Sequence, residues 1–205
     1  YLDLAREMAE DWKVRAANGD GSYRLAFDQA DTFSMKYNMV WDKAWGTNLF
    51  PETIKRQEYN YYMTKLNTYG LPLDSRATYT KSDWEYWTAS LASSNTNFLK
   101  ISNLLWKYAN ETPSRVPFSD WYSTDGNGSW VSFRARSVVG GHWMKVYMDK
   151  ILSGEIGTAI APIRADEVGN KASKYINGWY NLSGQKIDEP VQHGIYIKDG
   201  KTIVK

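Results

Sequence analysis

The chain has 205 residues, 42% of them hydrophobic and 23% charged, enough for one well-filled core and too few for two full-sized domains. Its 10 Trp, 15 Tyr and 6 Phe exclude a disordered chain, and no run approaches the ~18 consecutive apolar residues that a spanning helix needs. The 25 basic and 23 acidic side chains leave +2, which argues against nucleic acid as a partner, and zero Cys with two His removes cysteine-based zinc sites, thiol nucleophiles and disulfide scaffolds.

Residue 1 is Tyr, and a helical pattern is already running there, so the chain reads as a piece of a longer protein. Tyr1, Leu4, Ala5, Met8, Ala9, Trp12 and Ala16 recur at helical spacing, which predicts a first helix with one buried stripe ending near Asn18-Gly19. A second helix is expected from after Ser34 to Gly46. Pro51 opens a third, carrying Ile54, Tyr61, Tyr62 and Leu66 and stopping at Gly70. Ser82-Asp83-Trp84-Glu85 has the spacing of a capping box at the start of a fourth. The fifth runs from about 96 to 110. The sixth, about 134 to 152, is apolar nearly all round and is expected to be enclosed, with Gly140-Gly141 marking a close neighbour.

Six helices in three pairs, one member amphipathic and the other buried all round, are what a two-layered ring produces. Residues 1–153 are therefore read as helical hairpins forming an incomplete ring. Residues 154–173 read as a linker, and 174–205 as a small β tail, with Ile195-Tyr196-Ile197 and Thr202-Ile203-Val204 flanking a two-residue turn.

No nucleotide-binding glycine loop and no G-x-S-x-G is present, and the two His are poorly spaced for a Ser-His-Asp relay. The chemistry left is carboxylates, cations and aromatics in three loops: 69–84, 115–122 and 132–137. Curved hairpins would gather these loops at one face. Asp74, Asp83 and Asp120 are then candidate catalytic acids, one protonated to serve the leaving group and another ionised to activate water. Arg76, Lys81, Trp121, Tyr122 and Arg136 are candidate substrate-binding residues for a small molecule or a carbohydrate; no metal or other cofactor is called for. On this reading Asp120→Asn abolishes hydrolysis with little loss of stability.

Structural roles compete with each assignment. Asp83 can serve the dipole of its helix, Asp74 can pair with Arg76, and Asp120 can pair with Arg115. Asp42, inside an apolar helix, reads chiefly as an anchor, Glu58 as a partner of Lys55 or Arg56, His142 as a hydrogen-bonded core residue, and the Trp41/Trp45 and Trp84/Trp87 pairs as core packing.

Several stretches resemble the glutaminase A-like family: Lys36 to Asp42, Asn48 to Pro51, Tyr69 to Arg76, Tyr79 to Trp84, Arg115 to Tyr122 and Ala135 to Gly141. The resemblance implies a mostly α fold, the last part of an (α/α)6 toroid like that of six-hairpin glycosidases, completed by an upstream domain of the same protein. It also implies hydrolysis of the glutamine side-chain amide to glutamate and ammonia. A glycoside hydrolase using paired Asp residues, or a non-catalytic binding or structural fragment, are the alternatives. Residues 178–204 are similar to the C-terminal tails of secreted Bacteroides and Prevotella proteins, which implies a secreted, periplasmic or cell-surface location.

Overall fold

A computed structural model describes residues 1–155, 178–181, 186–190, 194–198 and 201–204. Chain contacts divide it into two units, Tyr1–Ala159 and Ile160–Lys205. The first is mostly helical: α1 (Leu2–Arg15), α2 (Met39–Trp45), α3 (Glu52–Tyr62), α4 (Ser82–Ala89), α5 (Asn95–Glu111) and α6 (Met144–Leu152), with a 3₁₀ helix at Ser137–Trp143. Two short strands, β1 (Tyr79–Lys81) and β2 (Trp121–Ser123), pair antiparallel within it. Among the described residues, no helix is long and apolar enough to cross a membrane.

The middle of this unit is α4, which packs against α5, the 3₁₀ helix, α6 and β1. Its burial follows from these neighbours and not from composition: Ser82, Asp83, Glu85, Thr88 and Ala89 are all buried although four of them are polar, so the helix has almost no water-facing side. One core cluster joins Met39, Val40 and Ala44 of α2 to Ile54, Leu91, Met144 and Met148. Another joins Tyr59 to Ala89, Phe98 and Ile101.

Two expected helices are shorter than their patterns, for local reasons. α2 stops at Gly46 as expected, in the left-handed conformation (φ 64°) that glycine adopts without a Cβ penalty, but it starts only at Met39, because the Met35 N–H donates to the Leu73 carbonyl at 2.8 Å and the Lys36 N–H to the Tyr62 hydroxyl at 2.9 Å. α3 ends at Tyr62 instead of running to Gly70, because the N–H groups of Thr64 and Lys65 bond three residues back and tighten the last turn, and the Thr64 hydroxyl donates to the Tyr61 carbonyl. The capping box does not form. Lys81 is still extended as the last residue of β1, Ser82 is already helical, and its N–H donates to the Asp120 carbonyl at 2.8 Å.

Glu85 turns inward instead of reaching back to the helix start. Fully buried, it accepts from the Leu71 N–H at 2.7 Å and meets the Tyr122 hydroxyl at 2.7 Å. That hydroxyl has one proton and a second oxygen neighbour, the Tyr69 carbonyl at 2.9 Å. A protonated Glu85 donating to Tyr122, which donates to Tyr69, satisfies every group. Burial pushes Glu85 up to about 8 against the hydrogen bonds it accepts, in keeping with a neutral acid.

The outer faces depart from expectation. On α1 only Ala9 is buried, while Tyr1, Leu4 and Met8 are exposed; Trp12 alone of the long apolar side chains docks, stacked on Tyr23 at 4.6 Å. α6 is not enclosed. Met144 and Met148 face the core, but Val138, Trp143, Val146 and Leu152 are exposed among the described residues. Of the two glycines before α6, Gly141 explains itself: a Cβ there would lie 2.8 Å from the Asp83 Cβ and 2.9 Å from the Trp87 indole nitrogen. Gly140 has open space around it.

The second unit holds a four-stranded antiparallel sheet of order β4-β3-β5-β6, from β3 (Trp179–Tyr180), β4 (Lys186–Ile187), β5 (Ile195–Lys198) and β6 (Lys201–Val204). The β5–β6 register pairs Lys198 with Lys201, as a two-residue connection requires. The proposed turn itself, most of the 154–173 linker, and Tyr175, Ile176 and Leu182 lie outside the described residues.

Two stability predictions follow from Glu85. Its folded pKa lies above the ordinary value, so its contribution is fully present below about pH 4.5 and is lost as pH rises through about 8. Urea denaturation across that range should show the decline, and Glu85→Gln, whose amide can donate to Tyr122, should flatten it. Gly70 sits at φ 136°, where a Cβ would fall 2.0 Å from Glu85 Oε1, so Gly70→Ala should cost roughly 3 kcal/mol or more in the same assay.

Candidate functional site

The β1–β2 ribbon sets the site. Side chains on a strand alternate between faces, and in each of these three-residue strands the middle residue points inward. Thr80 and Tyr122 are fully buried, whereas Tyr79, Lys81 and Trp121 face outward over one cleft. This separates two neighbours assigned together from the sequence. Trp121 lines the cleft, but Tyr122, assigned with it, is core and does not reach the cleft: its ring stacks on Tyr108 at 3.5 Å and its hydroxyl is taken by Glu85 and Tyr69.

The cross-strand register places Lys81 opposite Trp121. The Lys81 ammonium lies 4.3 Å from the Trp121 ring centre and 3.5 Å from Asp120 Oδ2. Arg136 completes the group with a two-pronged contact on Asp120, Nε to Oδ1 at 2.9 Å and Nη2 to Oδ2. Asp120 is wholly buried between these two cations; the expected partner Arg115 plays no part. Burial works to raise Asp120, yet the Arg136 hydrogen bonds and both positive charges outweigh it and hold the carboxylate below its usual range. Burial also draws Lys81 downward, with Asp120 opposing.

Asp74 is likewise committed. It accepts from the Arg76 N–H at 2.9 Å, Nε at 3.0 Å and Nη2 at 2.7 Å, and these contacts overcome burial to keep it ionised. Arg76 itself stays 63% exposed at the cleft rim.

Asp83 stands apart. It is buried, packs beside Gly141, and its Oδ1 has no hydrogen-bond partner among the described residues. Burial is the main cause of its raised pKa, and the negative Asp120 nearby pushes the same way. Of the three sequence candidates, two are held below the usual carboxylate range by ion pairs, and Asp83, with no ion pair among the described residues, is raised above it. The carboxylates do not form an exposed acid–base pair of equals.

The cleft has a volume of about 890 Å³. Its floor is aromatic: Tyr37, Trp41 and Trp45 rise at four-residue spacing from the approach to α2 and α2 itself, facing Trp84 and Trp121. Tyr37 and Trp84 stack face to face, their ring centres 4.3 Å apart and their planes 4° off parallel. Of the indole groups expected to be core packing, Trp41 and Trp87 do pack against the core cluster, with ring centres 5.2 Å apart, while Trp41, Trp45 and Trp84 also line the cleft and Trp45 is 37% exposed. Helical spacing alone could not tell these two fates apart, since Met39, Val40 and Ala44 on the other side of α2 supply the core contact. Arg136 opens instead onto a second hollow of about 700 Å³, shared with Tyr86, Phe118 and His142. The Asp120 group is the partition between the two.

Other polar residues are structural. Asp42 is anchored by Lys55 at 2.7 Å, Thr47 and the Leu49 N–H. Glu58 does not pair with Lys55 or Arg56; it accepts from the Tyr23 N–H at 2.8 Å and the Tyr62 hydroxyl at 2.5 Å, with Lys36 at 3.9 Å. His142 Nε2 shares a hydrogen bond with the Ser82 hydroxyl at 2.9 Å, and burial depresses its pKa, so the ring is neutral at pH 7. Among the described residues, no cluster of His, Asp or Glu could hold a metal ion.

Mostly helical architecture around a charged, aromatic cleft defines a helical domain with an open hollow. The sequence pattern of the glutaminase A six helical-hairpin domain matches residues 1–146, and the chain belongs to that family. Glutaminase A of Aspergillus oryzae is 33% identical over 146 residues, covering 69% of this chain and 21% of its own length. A probable glutaminase of Arthroderma benhamiae is 36% identical over 159 residues, covering 77% and 18%. The chain therefore spans about a fifth of the length of these curated relatives. No solved structure matches it.

The burial of Asp120 changes what its substitution does. Asp120→Asn leaves Lys81 and Arg136 facing each other without a counter-charge, so it should cost about 2 kcal/mol by chemical denaturation, the partial exposure of Arg136 keeping the loss below that of a fully buried pair. The small stability effect expected from the sequence does not suit a carboxylate with no exposed surface.

Proposed function

We propose that this chain supplies part of the substrate site of a hydrolase that converts the glutamine side-chain amide, with water, into glutamate and ammonia. Its relatives' names support the reaction, and the observation that carries the residue assignment is the contrast between Asp120, ionised between two cations, and Asp83, buried and unpaired. In this reading the hairpins form one segment of an (α/α)6 toroid closed by an upstream domain, and the protein acts outside the cytoplasm.

When water adds to the amide carbon it loses a proton, and the nitrogen must gain one for the C–N bond to break and ammonia to leave. Asp83, whose pKa is raised by burial and by the charge of Asp120, is the group suited to give the nitrogen its proton and to take back the one the water loses. Asp120 is then a positioning residue: it fixes Lys81 at the cleft wall, where an ammonium stabilises the oxyanion that forms on the amide oxygen. Arg76, whose Nη1 takes no part in the Asp74 pair, offers a grip for a substrate carboxylate.

Asp83→Asn in the whole protein should lower kcat for ammonia release by about 100-fold or more while leaving denaturation midpoints unchanged or raised, since a strained buried acid becomes a neutral amide. Ammonia and reducing sugar measured together against glutamine and a glycoside panel decide between reactions. Sugar release without ammonia, or full turnover by the Asn variant, would remove the proposal.

A further inference from the structure

The charged groups of the cleft account for only its edge. Free glutamine, with about ten non-hydrogen atoms, is far smaller than the ligands for which hollows of ~300–1,000 Å³ are suited. A volume of about 890 Å³ walled by Trp41, Trp45, Trp84 and Tyr37 would leave most of that aromatic surface against water when the free amino acid is bound. The arrangement has a direction. Lys81 and Trp121 come from the strand ribbon, Arg76 from the loop just before it, and the aromatic floor from the α2 side, with Trp84 between.

We propose that the cleft takes glutamine as the C-terminal residue of a short peptide, with the preceding residues laid across the aromatic floor; this rests on the amide-hydrolase reading above. The terminal carboxylate meets the exposed Arg76 guanidinium, the side-chain amide points to Lys81, and an apolar residue before glutamine covers the Tyr37–Trp84 stack. Arg76 favours a free carboxylate over a neutral chain end, which separates this ligand from a neutral oligosaccharide that aromatic faces alone could also bind.

The test uses the full-length protein with four probes: L-glutamine, the tripeptide Ala-Phe-Gln, its C-terminal N-methylamide, and cellohexaose. Ammonia release gives kcat/KM, and quenching of intrinsic tryptophan fluorescence gives Kd. The tripeptide should exceed glutamine at least tenfold in kcat/KM, the methylamide should lose at least tenfold, and Trp84→Ala or Trp45→Ala should bring the ratio of tripeptide to glutamine close to one. Arg76→Ala combined with Asp74→Asn, so that no buried carboxylate is left without its cation, should make tripeptide and methylamide equivalent once an unchanged denaturation midpoint shows that the variant is folded. Glutamine turned over as well as the tripeptide, or cellohexaose bound more tightly than it, overturns the inference. Should no probe release ammonia, the reaction assigned above fails by itself. The peptide site then stands if the tripeptide binds with a submillimolar Kd that Trp84→Ala weakens, and falls if it does not bind.

Discussion

A carboxylate with no exposed surface, wedged between a lysine and an arginine, is the constraint on which the site depends. Asp120 costs free energy to bury, and the two cations offset that cost only while both stay in place. Its main chain is tied in as well, because its carbonyl accepts the Ser82 N–H and so joins the end of β2's approach to the start of α4. One residue therefore couples three segments far apart in sequence: the β1–α4 junction, the entry to β2, and the loop carrying Arg136. Without it Lys81 has no reason to lie over Trp121, and the cleft loses its charged wall.

The same carboxylate shapes its neighbour. Asp83 lies in a place made tight by Gly141 and by the nearly all-round burial of α4, with no cation of its own among the described residues. Negative charge from Asp120 then adds to desolvation. Two aspartates of identical chemistry are driven apart in proton affinity, Asp120 downward by its ion pairs and Asp83 upward by burial and the charge of Asp120. Glu85 shows that burial need not mean function: its proton is absorbed by the Tyr122–Tyr69 chain and stabilises the turn at Gly70.

Much of the architecture is legible in the sequence. The helical stripes locate six helices, the hairpin signature in the tail matches β5 and β6, and the loop motifs point to the family. The charged residues gather as read, Asp74 with Arg76 and Asp120 with Arg136, although a partner such as Arg136 over Arg115 is fixed only by the fold. What could not be read was the β1–β2 ribbon. Three-residue strands carry too little alternation to register, and without them Trp121 and Tyr122 look equivalent when the pleat sends one to the cleft and the other to the core. Burial of α1 and α6 was overestimated for a related reason: periodicity reports which face is apolar, not whether the described chain contains what covers it.

Carbon-13 NMR titration of the aspartate side-chain carboxyls measures the central contrast directly. Here Asp83 titrates above the ordinary aspartate range and Asp120 below it, and Arg136→Ala moves both upward, Asp120 by more. Titration of both groups together in the ordinary range, or Asp120 above Asp83, would contradict the account.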